Sequence, residues 1–546
     1  MSRAARVVVG TLVLVALHVV NALPLPFEAA PPLKSAWPAL LVPNADILGI
    51  VLFGVVLGAR LSWRGVAHVA VVLFCLVYVY RCFDALVPAF YGKPFEPWVD
   101  ALEFPGLVHL FLHEHTAFVQ VLLVLALVAA LVVVYYVLWR AFCAVVRVSD
   151  GPVFASACCV AYGLALALAW EQQDEGGPQS LPRPRPSMLA KALEYGIDVT
   201  AARGFFVGPI VEERLRAAAK RIEAAPRRLE QLRDVDVYVL FLESYGRGIL
   251  ATSAVESYTR ALGHHEAVLA ADGWRARSGW LRPSVRGGGS SLAHLEFLSG
   301  IEIENRRVFD AVLASRYEAL PTILRAQGHR TVNVEPAMPR AWPEAASMGF
   351  EVELFRSSFA YEGTRYAWGD MPDQFALATV LRDVVQAPRE APLFLQYVSV
   401  TGHAPFSKIP PFLDPWPRAL EAGAFDGEPS QKYDITWMNY ATHPRVKDAY
   451  VAAMLYSLQV AFAFAQRLER PSLVMILGDH QAPLDYTDHF ERLHDVPLHV
   501  LSKEARLVDA WSGEAWLGRA GLLPDFDAAS LPSPRFLQRF LTVYGR

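Results

Sequence analysis

Three stretches of this chain bring together the residue types that phosphoryl chemistry uses: Leu240-Phe-Leu-Glu243-Ser, Gly287-Gly-Gly-Ser290-Ser-Leu-Ala-His294 and Leu477-Gly-Asp479-His480. Glu243, Ser290, Asp479 and His480 supply two carboxylates, a hydroxyl and an imidazole. This hard, oxygen-rich set suits Mn²⁺, Mg²⁺ or Zn²⁺. A divalent cation held there lowers the pKa of a hydroxyl and stabilises charge on a phosphoryl group. Ser290 is then the expected nucleophile, with Ser291 as the alternative. Alone, Ser290 also reads as an ordinary helix N-cap, and it is the company of the other three that points to chemistry.

The elements that must position these groups are legible as alternating apolar runs and helical segments. Val235 to Leu242, Thr331 to Val334, Leu393 to Val400 and Ser472 to Leu477 read as buried strands. Helices are expected at Leu320 to Ala326 and over 447–469. That alternation predicts an α/β domain with a mostly parallel central sheet flanked by helices. In such sheets, sites gather beyond the carboxyl ends of strands, and Glu243, Gly402-His403 and Asp479-His480 all come after strands. Gly287, Gly288 and Gly289 precede a helix expected at Ser290 to Ser299, whose N-terminus favours an anion. Arg247 and Arg286 lie near these groups and are candidates for bidentate phosphate contacts. His264, His265, His329, His443, His489 and His499 receive no role, and His499 is expected on the polar face of a strand.

The first third of the chain is different in kind. In 546 residues, 54% are hydrophobic and the mean hydropathy is +0.27, high for a chain lying wholly in water. Apolar spans are expected near 6–23, 45–62, 66–82, 117–139 and 153–170, judged against the roughly 20 residues that cross a bilayer. The first could serve instead as a signal peptide, but the later spans favour an anchor. Arg3, Arg6, Arg60, Arg64, Arg140 and Arg147 fall on one side of five spans, which places the N-terminus inside and everything after residue 171 outside. His109, His113 and His115 read as an interfacial loop. The polar, Pro-rich stretch from Glu171 to Pro186 reads as a connector, and residues 187–234 as stalk helices. The expected division is therefore 1–170 transmembrane domain, 171–234 linker and stalk, and 235–546 catalytic domain. The net charge of -4 argues against a nucleic-acid partner. All five cysteines precede residue 160, which excludes a disulfide within the catalytic domain.

In this order the motifs resemble the alkaline phosphatase superfamily in its sulfatase-like branch, in particular the membrane-anchored lipoteichoic acid synthases and the phosphoethanolamine or phosphoglycerol transferases. The resemblance implies an alkaline-phosphatase-like catalytic domain with Glu243, Ser290, Asp479 and His480 as metal ligands. Thr401-Gly-His-Ala-Pro-Phe406 is similar to the family's substrate-side histidine motif and nominates His403. Leu493-His-Asp-Val-Pro497 resembles its histidine segment and nominates His494, for substrate or a second metal. The spacing to Ser299-Gly300 resembles the sulfatase register and puts the nucleophile on Ser290 and a substrate contact on His294. Trp342 is similar to a substrate-side tryptophan, although the histidine that accompanies it in the family falls near Glu335 here. Tyr366 to Asp370 resembles an aromatic stretch of the family. The catalytic portion holds no cysteine for an aldehyde-based sulfatase mechanism, and serine replaces the lipoteichoic acid enzymes' threonine.

The resemblance implies transfer of a phospholipid headgroup, phosphoethanolamine or phosphoglycerol, through a phospho-serine to an envelope glycan or lipid. The expected place is the bacterial inner membrane with a periplasmic or extracellular catalytic domain. A phosphate or sulfate ester hydrolase is the alternative, and a catalytically inactive tethered binding module is a third reading. The sequence indicates no protein partner and no oligomeric state.

Overall fold

The computed structural model describes residues 62–91, 117–146 and 207–545, with breaks at 253, 340–344, 367–369, 428, 437–438, 441–442 and 484–493, and a few positions before residue 51. The chain divides into two compact units, one within the first 206 residues and one that runs from Val207 to Arg546.

In the first unit the helices Trp63–Tyr91 and Ala117–Val146 are described. Phe118–Ala144 is long and apolar enough to cross a membrane, and its hydrophobic window is wholly unburied. At 1.5 Å per residue its 27 residues extend roughly 40 Å, more than the roughly 30 Å thickness of a bilayer's hydrocarbon core. Arg64–Tyr80 is a shorter apolar helix. His68 Nδ1 lies 2.6 Å from Tyr135 Oη, and the ring stacks on Trp139. The expected count of five spans is not reached among the described residues. The segments at 6–23, 45–62 and 153–170, and His109, His113 and His115, lie largely or wholly outside them. A second helix that passes the same test, Val446–Gln466, is 78% buried and belongs to the core of the other unit.

The second unit is built on strands β1 (Asp236–Leu242), β2 (Arg275–Arg282), β3 (Arg330–Glu335), β4 (Val352–Phe355), β5 (Leu393–Val398), β6 (Lys408–Ile409), β7 (Gln431–Lys432), β8 (Ser472–Gly478), β9 (Val496–Ser502), β10 (Arg519–Ala520) and β11 (Leu531–Pro532). The main sheet runs β10-β2-β9-β8-β1-β5-β3-β4, with β11 paired to β2. From β8 to β4 all pairings are parallel. Beyond β8 the sheet turns antiparallel through β9, β2 and β10, an extension that the run of apolar segments did not predict.

Every residue of β1 is buried, as a central strand covered on both faces requires. Its alternate side chains feed two cores. Tyr238, Leu240 and Leu242 point into one, with residues of the helices Val255–Ala271, Asp373–Val380 and Val446–Gln466. Val237, Val239 and Phe241 point into the other, with residues of Ser290–Ser299, Arg306–Leu313, Leu320–Arg325 and Phe536–Tyr544. Each large apolar side chain so buried contributes about 1.5–3 kcal/mol. The helix Val207–Glu223, within the segment expected to form a stalk, instead packs Val211, Ala218 and Ile222 into this second core.

Register sets up the site. Leu242 pairs with Gly478 and Phe241 with Val398, so β1, β8 and β5 end level. The next residues along each chain segment, Glu243, Asp479 and Ser399, are thereby delivered to one edge of the sheet.

Candidate functional site

Just past β1 the chain turns sharply. Ser244 adopts a left-handed φ of 61°, its N–H donates to Asp479 Oδ1 at 2.9 Å, and its Oγ donates to Glu243 Oε1 at 2.9 Å. The backbone N–H of His480 donates to the same Asp479 Oδ1 at 2.8 Å. One oxygen of Asp479 is thus saturated by backbone. Its other oxygen, Oδ2, is buried without a hydrogen-bond partner.

The segment before Ser290 is a run of positive φ at Gly287, Gly288 and Gly289, 70°, 154° and 80°, conformations that side-chain-bearing residues rarely adopt. Gly287 N–H donates to Gln481 O at 2.9 Å, which ties this loop to the Asp479-His480 segment. The helix Ser290–Ser299 begins where the sequence predicts, but its N-cap is Gly289, and no side chain caps it. The hydroxyl of Ser290 is therefore not spent on the helix. It lies 3.0 Å from Glu243 Oε2 and 3.1 Å from His480 Nε2.

Hydrogen-bond partners fix the protons here. His480 Nδ1 lies 3.0 Å from Gln481 O, an acceptor that requires N–H on Nδ1. A neutral His480 then presents the Nε2 lone pair to the cluster. Around the single hydroxyl hydrogen of Ser290 gather a carboxylate oxygen and an imidazole lone pair. His480 Nε2 is also 3.4 Å from Glu243 Oε1 and 3.7 Å from Asp479 Oδ2. Ligands bound at about 2.1 Å around one tetrahedral cation stand roughly 3.4 Å apart. One ligand atom from each of Glu243, Asp479 and His480 lies within 4.8 Å of the others, and all three residues are buried. The donor chemistry, the spacing and the orphaned Asp479 Oδ2 all fit a divalent cation.

Electrostatics agree. Burial alone would raise the Asp479 carboxyl, but His480 and His294 outweigh it and hold it well below the usual range. Burial would lower His480, but Asp479 and Glu243 outweigh it and raise it, so without a cation a proton is favoured on Nε2, and a bound cation would displace that proton and leave the neutral ring. His494 is held below its ordinary value by burial and by Arg286 and Arg282. It is neutral near pH 7 and able to accept a proton.

The other expected residues divide. His403 sits on a loop fixed to the site: Glu243 N–H donates to Ser399 Oγ at 3.0 Å. A Cβ on Gly402 would stand 2.2 Å from Glu243 O, so only glycine fits there. His403 Nδ1 faces Ala404 O at 2.7 Å, which leaves Nε2 as its acceptor nitrogen. Neither His403 nor His494 is brought to hydrogen-bond distance of Ser290 Oγ, whose partners are Glu243 and His480. His294 is buried against Phe241, and its Nε2, 3.6 Å from Asp479 Oδ2, makes no hydrogen bond. Trp342 lies outside the described residues. Arg247, expected on phosphate, is engaged elsewhere: it pairs with Asp495 at 3.2 Å, donates to Phe526 O and covers the Trp280 ring. Tyr366 is core, its hydroxyl bonded to Phe425 O. His499 is fully buried rather than on an exposed face, between Ser278 Oγ at 2.7 Å and Tyr245 Oη at 3.0 Å.

Several supporting residues were not foreseen. Asp373 accepts from Val400 N, Thr401 N and Tyr397 Oη and so fixes the His403 loop. Glu296, fully buried, accepts from Ser284 N at 3.0 Å and Ile303 N at 2.9 Å, which pins the chain on both sides of the Ser290 helix. Only the Glu243-Ser244 and Asp479-His480 adjacencies carry a local signal for such partners.

No family model matches this chain, and no curated protein matches it. Among solved structures it is similar to the lipoteichoic acid synthase LtaP from Listeria monocytogenes, at 13% identity, with 52% of this chain and 71% of that one covered and a TM-score of 0.37. It is similar to the Streptococcus pyogenes phosphoglycerol transferase GacH at 12% identity, 62% and 91% coverage and a TM-score of 0.36. The soluble domain of the lipooligosaccharide phosphoethanolamine transferase A from Neisseria meningitidis matches at 15% identity, 57% and 88% coverage and a TM-score of 0.34. Scores this low leave the likeness without weight beside the side-chain geometry.

Proposed function

We propose that this protein is a metal-dependent phosphotransferase of the sulfatase-like, alkaline phosphatase type that moves a phospholipid headgroup, phosphoethanolamine or phosphoglycerol, onto an envelope glycan or lipid. One observation carries the reading. Ser290 Oγ, free of capping duty at a helix start, sits 3.0 Å from Glu243 Oε2 and 3.1 Å from His480 Nε2, beside the unpartnered Asp479 Oδ2.

Glu243, Asp479 and His480, with Ser290 itself, hold a divalent cation, Mn²⁺, Zn²⁺ or Mg²⁺, which when bound lowers the hydroxyl's pKa and offsets phosphoryl charge. Ser290 Oγ attacks phosphorus of the headgroup phosphodiester, and its proton passes through solvent to His403 or His494. The bond from phosphorus to the diacylglycerol oxygen breaks, and the imidazolium so formed returns that proton to the leaving oxygen. An acceptor hydroxyl then attacks the phospho-serine, its proton passes to the same histidine, and Ser290 is regenerated. His294 and Trp342 serve as substrate-side groups. Residues 1–170 anchor the catalytic unit in the bacterial inner membrane with the N-terminus inside, and the catalytic unit works in the periplasm or outside. A tether of this kind presents lipid headgroups at high effective concentration.

The test is intact-mass measurement of the full chain in detergent after incubation with phosphatidylethanolamine or phosphatidylglycerol. A phosphoethanolamine or glycerol-phosphate adduct, absent from Ser290→Ala, is expected. An adduct of undiminished yield on Ser290→Ala sinks the assignment. Turnover of an aryl phosphate monoester with no exchange of lipid headgroup would establish the hydrolase instead.

A further inference from the structure

A cleft of about 580 Å³ opens beside the loop that leads to Ser290, lined among others by Arg214, Arg221, Arg282, Arg535, Ser284 and His494. Four arginines meet two carboxylates there, Glu302 and Glu304. Arg214 is neutralised by Glu304, to which it donates twice. Arg282 pairs with the buried Asp495, which also pairs with Arg247. Arg221 donates to Gly300 O at 2.7 Å. Burial and the neighbouring Arg535 depress its pKa, with only Glu302 opposing. The exposed Arg535 side chain makes no hydrogen bond or ion pair among the described residues.

Gathering like charges in a partly buried cleft is unfavourable unless an anion occupies it. Guanidinium groups recognise phosphate by planar, paired donors, and the volume lies in the range of small-ligand sites. The cleft lies along the helix that Ser290 begins: Arg221 reaches Gly300 at its C-terminal end, about 15 Å from Ser290 at 1.5 Å per residue. Ser284 is bonded through its N–H to Glu296 of the Ser290 helix, and only Val285, Arg286 and the three glycines separate it from Ser290. We propose that this cleft is the seat of a phosphate ester on the acceptor, which holds the acceptor by its charge while its hydroxyl reaches the phosphorylated Ser290. The assignment of an acceptor rests on the phosphotransfer reading, whereas the existence of the anion site does not.

The test uses the full chain in a neutral detergent, treated with EDTA, titrated calorimetrically with glucose 1-phosphate and separately with sn-glycerol 3-phosphate. Saturable binding of at least one is expected, equal in wild type and Ser290→Ala, and weakened about tenfold or more by Arg535→Glu. Tighter binding of the sugar phosphate identifies a glycan acceptor, and tighter binding of the glycerol phosphate a lipid headgroup. Arg221→Gln removes a contact to Gly300 O and can disturb the fold, so the exposed Arg535 decides. No saturable binding at millimolar concentration, or unchanged affinity in Arg535→Glu, overturns the proposal. Failure of the nucleophile reading is separate, because it shows as lipid turnover that survives Ser290→Ala.

Discussion

Strand β1 carries a buried carboxylate at each end, and the two are treated in opposite ways. At its amino end Asp236 is 1% exposed and its acceptor capacity is filled. Arg389 clasps both oxygens, Leu393 N–H donates at 2.9 Å, and Arg470 lies 3.8 Å away. Past its carboxyl end Glu243 faces Asp479, whose Oδ2 accepts no hydrogen bond and pairs only with the imidazoles of His294 and His480, 3.6 Å and 3.7 Å away, and no arginine or lysine pairs with either carboxylate among the described residues. A buried ion pair that is complete fixes structure; a buried cluster of acceptors that is incomplete costs free energy until a cation fills it. The same strand therefore ends in a clamp on one side and a receptor on the other.

The sharpest way to break this contrast is at the receptor. Ser290→Ala should lower headgroup transfer at least about 10³-fold and leave the thermal midpoint where it was, as read by lipid turnover and a melt of the same preparation. At the clamp the reverse is expected. Asp236→Ala strands two arginines and should cost about 3–5 kcal/mol of stability, while calorimetric affinity for Mn²⁺ or Zn²⁺ in the still-folded fraction stays unchanged. If cation binding falls with it, the two ends are not independent. Asp479→Asn should weaken cation binding more than about 100-fold, since even outer partners of a metal ligand are worth 10–100-fold. Without cation it should melt somewhat lower than wild type, because His480 and His294 favour the ionised carboxylate in the folded state and that stabilisation is lost. The drop should stay smaller than that of Asp236→Ala, since Asn keeps an oxygen for the Ser244 and His480 N–H groups; an equal drop would give Asp479 a structural role like that of Asp236.

Glu296 allows a finer comparison. Burial, against hydrogen bonds from Ile303 and Ser284, raises its pKa from 4.5 to about 7. The native state then retains a proton that the unfolded chain releases near 4.5, so this group's contribution is fully present below that pH. It declines as pH rises to about 7, by no more than about 3 kcal/mol. Glu296→Gln should flatten that part of the melting profile between pH 5 and 7.5. An identical slope in both proteins would remove Glu296 as its source.

The features legible in the sequence are those set by short-range pattern. The run Asp236–Leu242 is apolar because both faces are covered, and the Ser290–Ser299 helix is bracketed by glycines, so both were visible locally. The β2 strand was not, because RARSGWLR carries three arginines and is buried only over its second half. Its partner β9 was legible as the alternating run Val496 to Leu501, but its antiparallel pairing with β2 and β8 was not. Arg247 lies four residues from Glu243, yet its side chain turns to Asp495, a choice made by packing against Trp280. His499 looked like an outward residue of an alternating strand. The antiparallel β2 on its flank supplies Ser278 and turns that position inward. Asp373 and Glu296 act on backbone N–H groups distant in sequence, for which composition leaves no trace.

The level ends of β1 and β8 also fix when the receptor comes into being. Ser244 and Asp479 are 235 positions apart and meet only once two parallel strands have zipped in register, a late event for contacts of such separation. A chain whose two strands are still unpaired therefore lacks the Ser244 to Asp479 contact that shapes the receptor. Cation affinity is accordingly a property of the finished sheet and would be gained only as folding completes.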